Sequence, residues 1–367
     1  MSGRWVWRVA AVGGALVVLG VDWPAAHVER WYGLGLFPRL QTGLTGLSNL
    51  VPFALLDVVV AACVAGLVAC AVRVMRAAPG RRWRAVGRAT IDVSVAVALG
   101  CLAFAACWGL NYQRDPITAR LDFDPARITP QRAAALANQA VVHLSRLTPQ
   151  DTATDQGPDE SALAITLAPA FDAAIRSVGL PGGTRLARPK TSMLDPYLVR
   201  AGISGMTDPF FLETIIATNV LPFERPAVMA HEWAHLAGVA RESDASFLGW
   251  LVCIHADVRA QYSGWLDLLL RVAGSLDADQ RRLVMTALPA RVRRDIEAMR
   301  RRDVRDQVHL VNLVAWRAYD SYLKTNRVAN GIASYNDVVR VVLGTRFEDG
   351  WMPAVKPAVK PAGGQEP

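Results

Sequence analysis

The sequence predicts a mainly α protein: three amino-terminal transmembrane helices, followed by an α+β extracytoplasmic domain with a small sheet. Three observations lead there. Of the 367 residues, 52% are hydrophobic and mean hydropathy is +0.21, more apolar character than one water-soluble domain usually carries. The long apolar runs are confined to the first 110 residues. Beyond them the chain reads as amphipathic helix, except around Gly202 to Val220, where glycines and prolines punctuate Ile203, Phe210, Phe211 and the β-branched Thr214-Ile215-Ile216.

The membrane part, residues 1–110, is expected to hold spans at about 5–22, 51–74 and 90–110, each near the ~20 residues a crossing needs. Trp23 and Pro24, after the first run, make a poor small-x-small cleavage site, so an uncleaved anchor is expected. Arg73 at the end of the second run and Arg76, Arg81, Arg82, Arg84 and Arg88 between it and the third form a cationic loop that the positive-inside rule assigns to the cytoplasm. The amino terminus is then cytoplasmic, and residues 111–350 lie outside, in a periplasm or at a cell exterior. The net charge of +8 therefore reports membrane topology and a lipid-bilayer partner, with no nucleic acid implied. Four of the five cysteines, Cys63, Cys70, Cys101 and Cys107, sit in apolar stretches, so no disulfide framework is implied.

In the outer domain, helices are expected near 130–146, 160–178, 226–237 and 242–257, with two more filling 264–325. The tail, residues 351–367, repeats Ala-Val-Lys-Pro and is expected to be disordered.

Chemistry concentrates in Pro226-Ala-Val-Met-Ala-His231-Glu232-Trp-Ala-His235-Leu-Ala-Gly238, a short helix opened by a proline and closed by a glycine. His231 and His235, four residues apart, project from one face at the spacing a tetrahedral Zn2+ ion requires, while Glu232 sits about 100° round. This HExxH pattern makes Glu232 the general base toward zinc-activated water. A catalytic zinc wants a third protein ligand. Glu242 and Asp244 open the next helix, separated by two helical steps, so only one can face the metal. On the Glu242 side the neighbours Ala245, Ser246 and Gly249 are small and permit close approach, whereas Asp244 shares a face with Phe247, Leu248 and Leu251. Glu242 is the expected ligand, and Asp244 a supporting hydrogen bond or helix-start charge. Arg241 stands where a metzincin would carry its third ligand, and no stretch around the motif is apolar for long enough to be an intramembrane site.

The residues also resemble those of a known family, the bacterial membrane proteins classed as domain of unknown function 3810, which are similar to gluzincin-type zinc peptidases. The likeness runs from Glu29-Arg-Trp-Tyr32, Pro52-Phe53 with Asp57 and Trp108-Gly-Leu-Asn-Tyr112, through Gly202-Ile-Ser-Gly205, Pro209-Phe210 and Glu213. It continues over His231-Glu-Trp-Ala-His235, Gly238, Ala240-Arg-Glu242 and Ala245 with Phe247, to Tyr322-Leu-Lys324, Gly331 and Ser334-Tyr335. The family's Glu-x-Glu-Ala-Asn-Phe is here Glu242-Ser-Asp244-Ala-Ser246-Phe, keeping the presumed ligand. The resemblance implies a membrane-bound zinc hydrolase in a bacterial inner (cytoplasmic) membrane and supplies no substrate.

The expected function is membrane-anchored zinc metallohydrolysis of a peptide or protein substrate. The rival from another class is a non-catalytic sensor or assembly factor retaining a zincin fold. The segment Thr214 to Val220 is a candidate for pairing with substrate backbone or, equally, plain sheet. His309, Tyr319, Tyr322 and Tyr335 are candidate oxyanion partners, each read singly as a core or surface residue. Glu213 receives no chemistry, His255 points away from Glu242, and the arginine-rich run Arg291 to Arg305 reads as a solvated face.

Overall fold

The computed structural model describes residues 3–147, 160–326 and 337–356, and the chain is mainly helical with a small sheet. All three apolar runs form helices, Gly3–Gly20, Leu55–Met75 and Arg82–Cys107. The last two are long and apolar enough to cross a membrane; the first holds a shorter apolar stretch, Trp5–Val18. Their limits differ from expectation for local reasons. Ala54 is extended just after Pro52, so the second helix opens at Leu55 rather than 51. The third begins at Arg82 rather than 90, because arginine is a good helix former and carries the helix past its apolar part. Arg8 pairs with Asp92 at 2.8 Å, and a Cβ on Gly14 would meet Leu102 at 3.9 Å, so the first and third helices run in the same direction. Arg73, near the end of the second helix, reaches the same Asp92 at 3.4 Å.

Between the first two apolar helices lies structure that the hydropathy pattern does not reveal. Val28–Leu36 winds as a wider, π-type helix and continues into Phe37–Ser48, with Tyr32 and Phe37 fully buried. Glu29 on the wide segment accepts two hydrogen bonds from Arg114, at 2.7 and 3.0 Å, and one from Arg120 at 2.5 Å, tying this layer to the chain that leaves the third helix.

The part of the chain after the apolar helices opens with Pro130–Leu147 and Glu160–Ser177, close to the expected limits. Residues 258–325 form four helices rather than two: Val258–Gly274, Ala278–Ala287, Ala290–Asp306 and His309–Thr325. Asp257 and Asp277 cap the first two of these through their side chains, and Pro289 precedes the third, short-range breaks that a coarse periodicity merges.

The sheet has three short strands in the order Pro189–Lys190, Thr214–Ile216, Gly205–Thr207. Thr214–Ile216 is central, parallel to the first and antiparallel to the last. It is therefore not free to pair with substrate, so of the two expectations for Thr214 to Val220 plain sheet holds and substrate pairing is corrected; the edge strand on the motif's side is Gly205–Thr207. Residues 351–356, expected to belong to a disordered tail, are instead built into the fold. Met352–Pro353 pairs with Phe347–Glu348, Val355 bridges Leu121, and the Trp351 ring stands 5.3 Å from the Trp265 ring. Those ring contacts give the tail a core to bury against; residues 357–367 lie outside the described residues.

Candidate metal centre

The motif helix, Arg225–Leu236, has Pro226 in its first turn and is anchored by Trp233, whose indole is fully buried and donates to the Ala187 carbonyl at 3.1 Å. Its end is a Schellman turn: the amide of Val239 reaches the Ala234 carbonyl at 3.3 Å across Gly238, whose φ is +82°. A Cβ on Gly238 would come within 2.5 Å of the Arg114 guanidinium, so only glycine fits both the angle and the space. The chain reverses there and the partner helix, Glu242–Ile254, packs back along the first. Gly249 makes that approach close, since a Cβ there would lie 3.0 Å from the His231 backbone nitrogen.

The reversal brings His231, His235 and Glu242 together, and their donor atoms all lie within 4.8 Å of one another. Glu242 Oε2 is 3.2 Å from His231 Nε2 and 3.6 Å from His235 Nε2. Tetrahedral ligands about 2.05 Å from a zinc ion stand roughly 3.3 Å apart, so the donor types and the two carboxylate–imidazole spacings fit that metal. The far nitrogens are engaged as such ligands require. His235 Nδ1–H donates to the Val239 carbonyl at 2.7 Å, leaving Nε2 for a cation, and His231 Nδ1 lies 3.2 Å from the Ser246 hydroxyl.

Glu232 stands apart from this trio. Its Oε2 accepts from the Thr207 hydroxyl at 2.8 Å, and a Cβ on Gly205 would press to 2.8 Å from its other oxygen. The edge strand thus holds the carboxylate from one side. Burial pushes the Glu232 carboxyl above its ordinary value, against the pull of both imidazoles. Burial alone would lower His235, but Glu242 beside it raises it to about 9. Burial alone would likewise raise Glu242, which His235 and His231 hold well below the usual carboxylate range. His231, His235 and Glu242 would hold a cation only in exchange for the proton that this pairing holds.

Asp244 is turned away, accepting from the Ile117 amide at 2.9 Å, so it supports the helix start. His255 contacts the Leu251 and Gly350 carbonyls. The arginine run is not all solvated: Arg302 is buried and pairs with Glu224 at 2.7 Å. His309 is exposed, and Tyr335 falls outside the described residues. Tyr319 and Tyr322 both line the cavity that holds His231, Glu232, His235 and Glu242. The Tyr319 hydroxyl donates to Glu242 Oε1 at 2.5 Å, a partner that sequence reasoning left unassigned; the spacing of Tyr319 and Tyr322 on one helical face was the available signal.

These elements define a mainly helical protein with a three-donor candidate metal centre beside a buried carboxylate. Residues 32–343 match the family described as "Protein of unknown function (DUF3810)", and the chain belongs to it. Neither a curated protein nor a solved structure matches the chain.

Proposed function

We propose that the chain is a membrane-anchored zinc metallohydrolase, a gluzincin-type peptidase with Glu232 as its general base. The observation that carries this reading is the convergence of His231, His235 and Glu242 in one cavity beside Glu232, a carboxylate outside the donor trio. Those three side chains would hold Zn2+, which when bound supplies a Lewis acid and lowers the pKa of water to about 7. Glu232 takes the proton and returns it to the leaving group; its buried position raises its basicity, and Thr207 fixes its orientation. The edge strand Gly205–Thr207, which lines the same cavity, is positioned to pair with an extended peptide.

Placement in a bacterial inner membrane with three crossings, a cytoplasmic amino terminus and an outer catalytic domain is part of the proposal. It is supported by the parallel first and third helices and by Arg8 and Arg73 meeting at Asp92, on the side of the arginine-rich loop.

Glu232→Gln in the purified full-length protein should lower peptide hydrolysis by about 10²–10⁴-fold while zinc stoichiometry stays the same. Full activity in that variant would overturn the mechanism. Identical phenotypes of wild-type and Glu232→Gln cells would favour the sensor or assembly-factor reading instead.

A further inference from the structure

The cavity, about 1000 Å³, extends well beyond the metal donors, and its two ends differ in chemistry. At one end Val97, Gly100, Cys101 and Phe104 line it, an i, i+3, i+4, i+7 face of the Arg82–Cys107 helix. These residues fall within the last eleven of that helix, about 15 Å of rise, half of the ~30 Å hydrocarbon thickness. Gly100 has open space where a side chain would stand, and Val97 is 59% exposed. The helix then runs into Trp108, whose ring is 5.8 Å from that of His235, so the donor trio sits at the outer end of the same apolar wall. Facing it is the helix His309–Thr325, with Ala315, Trp316 and Tyr319 on the cavity and the Phe104–Tyr322 ring contact at 6.0 Å joining the walls. That helix also exposes Leu310 (68%) and Val314 (58%).

Toward the start of the motif helix, away from His235 and Trp108, the lining is charged: Arg302 pairs with Glu224 at 2.7 Å and with Asp303 at 2.9 Å, and Asp267 and Arg271 also line the cavity. The donor trio and Glu232 therefore lie between an apolar wall at the depth of one leaflet and a polar end. Resting on the hydrolase reading and its membrane placement, we propose that the substrate is an acylated peptide. Its fatty chain lies along Val97–Phe104 in the outer leaflet and its peptide part extends toward Asp267 and Arg271. A transmembrane polypeptide fits less well, because the spanning helix contributes to the lining only within its outer half. Cleavage adds water across one peptide bond, leaving a carboxylic acid and an amine, and needs no further reactant.

The test uses Cys101 as a native reporter. Full-length Glu232→Gln protein in phospholipid nanodiscs is treated with a thiol-alkylating reagent, and modification is read site by site by mass spectrometry. Cys63, exposed on the other spanning helix, serves as the control for unspecific partition. An N-palmitoyl peptide should slow Cys101 alkylation at least about tenfold more than the same peptide without the chain, leaving Cys63 unchanged. Gly100→Phe, and independently Val97→Lys, should remove that protection. Equal protection of Cys101 and Cys63, protection without the acyl chain, or protection only by a transmembrane peptide would overturn the proposal. Zinc content measured on the same samples separates the two ideas: a zinc-free protein with Cys101 protected refutes the hydrolase reading and leaves acyl-chain binding standing.

Discussion

Glu213, where the sheet meets the start of the Leu55–Met75 helix, and Glu242, where two helices meet beside the cavity, are both buried carboxylates facing cationic or ionisable nitrogen. Glu213 accepts from the Ser48 hydroxyl at 2.8 Å, the Leu55 and Leu56 amides at 3.0 and 3.1 Å and the Lys190 ammonium at 2.6 Å. Lys190 spends its remaining protons on the Ser48 and Phe53 carbonyls. Every direction is filled, and two of the donors are the otherwise unpaired amides that open a helix. Glu242 has one oxygen on Tyr319 and aims the other at two imidazoles whose far nitrogens are already engaged. The difference teaches that saturation marks a structural cluster, whereas donors converging on one point beside a cavity mark a place for a ligand. Burial would push Glu213 up as well, yet the Leu55 amide and Lys190 hold it below its ordinary value.

The comparison breaks most visibly at the candidate metal centre. His235→Ala or Glu242→Ala should abolish stoichiometric zinc on metal analysis, a larger loss than the roughly 10–100-fold typical of a supporting hydrogen bond. The same variants should leave the Lys190–Glu213 cluster intact. Zinc retained in Glu242→Ala through Asp244 would redraw the site, although Asp244 is committed to the Ile117 amide.

Lys190→Met should do the reverse, leaving zinc content unchanged while stranding Glu213, at about 3–5 kcal/mol of stability in denaturant titration. Lys190→Met with Glu213→Leu should recover most of it. A double variant as unstable as the single would mean that the pair has a role beyond mutual compensation.

Asp208 sharpens the contrast, because it is a buried acid whose bonded partners are backbone amides, those of Phe210 and Phe211 at 3.2 and 2.7 Å. Burial raises it to about 6 from an ordinary 3.8. An acid raised on folding contributes stability below the lower value and loses it as pH climbs to the higher one. Across pH 4–7 wild-type protein should therefore lose up to about 3 kcal/mol relative to Asp208→Asn. Parallel stability curves for the two proteins would show that this acid is not perturbed.

The candidate centre was legible where its residues are close in sequence. His231, His235 and Glu242 fall within twelve positions, helical periodicity fixes their faces, and small Gly249 announces the close approach. The broad division into apolar amino-terminal helices and a helical remainder with a small sheet was legible for the same reason: hydropathy is a local signal. What stayed hidden is set by tertiary pairing. Which strand is the edge depends on Lys190 and Met206 pairing on opposite sides of Ile215, a choice that no local pattern along the chain reports. The Phe37–Ser48 helix carries no long apolar run, and the cavity wall at Val97–Phe104 looks like any stretch of spanning helix until His309–Thr325 is placed against it.

Tyr319 is the subtlest case, 77 residues from the glutamate it touches. Its ring stacks on Tyr322 at 5.7 Å, while the Tyr322 and Tyr112 hydroxyls lie 3.2 Å apart, so two neighbouring tyrosines have different duties. By holding Oε1 of Glu242, Tyr319 leaves Oε2 as the oxygen turned to both imidazoles. Removing that hydroxyl frees the carboxylate to rotate, so Tyr319→Phe should weaken zinc binding by roughly 10–100-fold in chelator competition. Packing is nearly preserved, so its unfolding midpoint should barely move in the metal-free protein. Tyr322→Phe removes a hydroxyl that meets Tyr112 rather than the ligand and should leave zinc affinity near wild type. If both variants lose affinity equally, the effect belongs to the aromatic wall as a whole, and Glu242 is oriented by its helix alone.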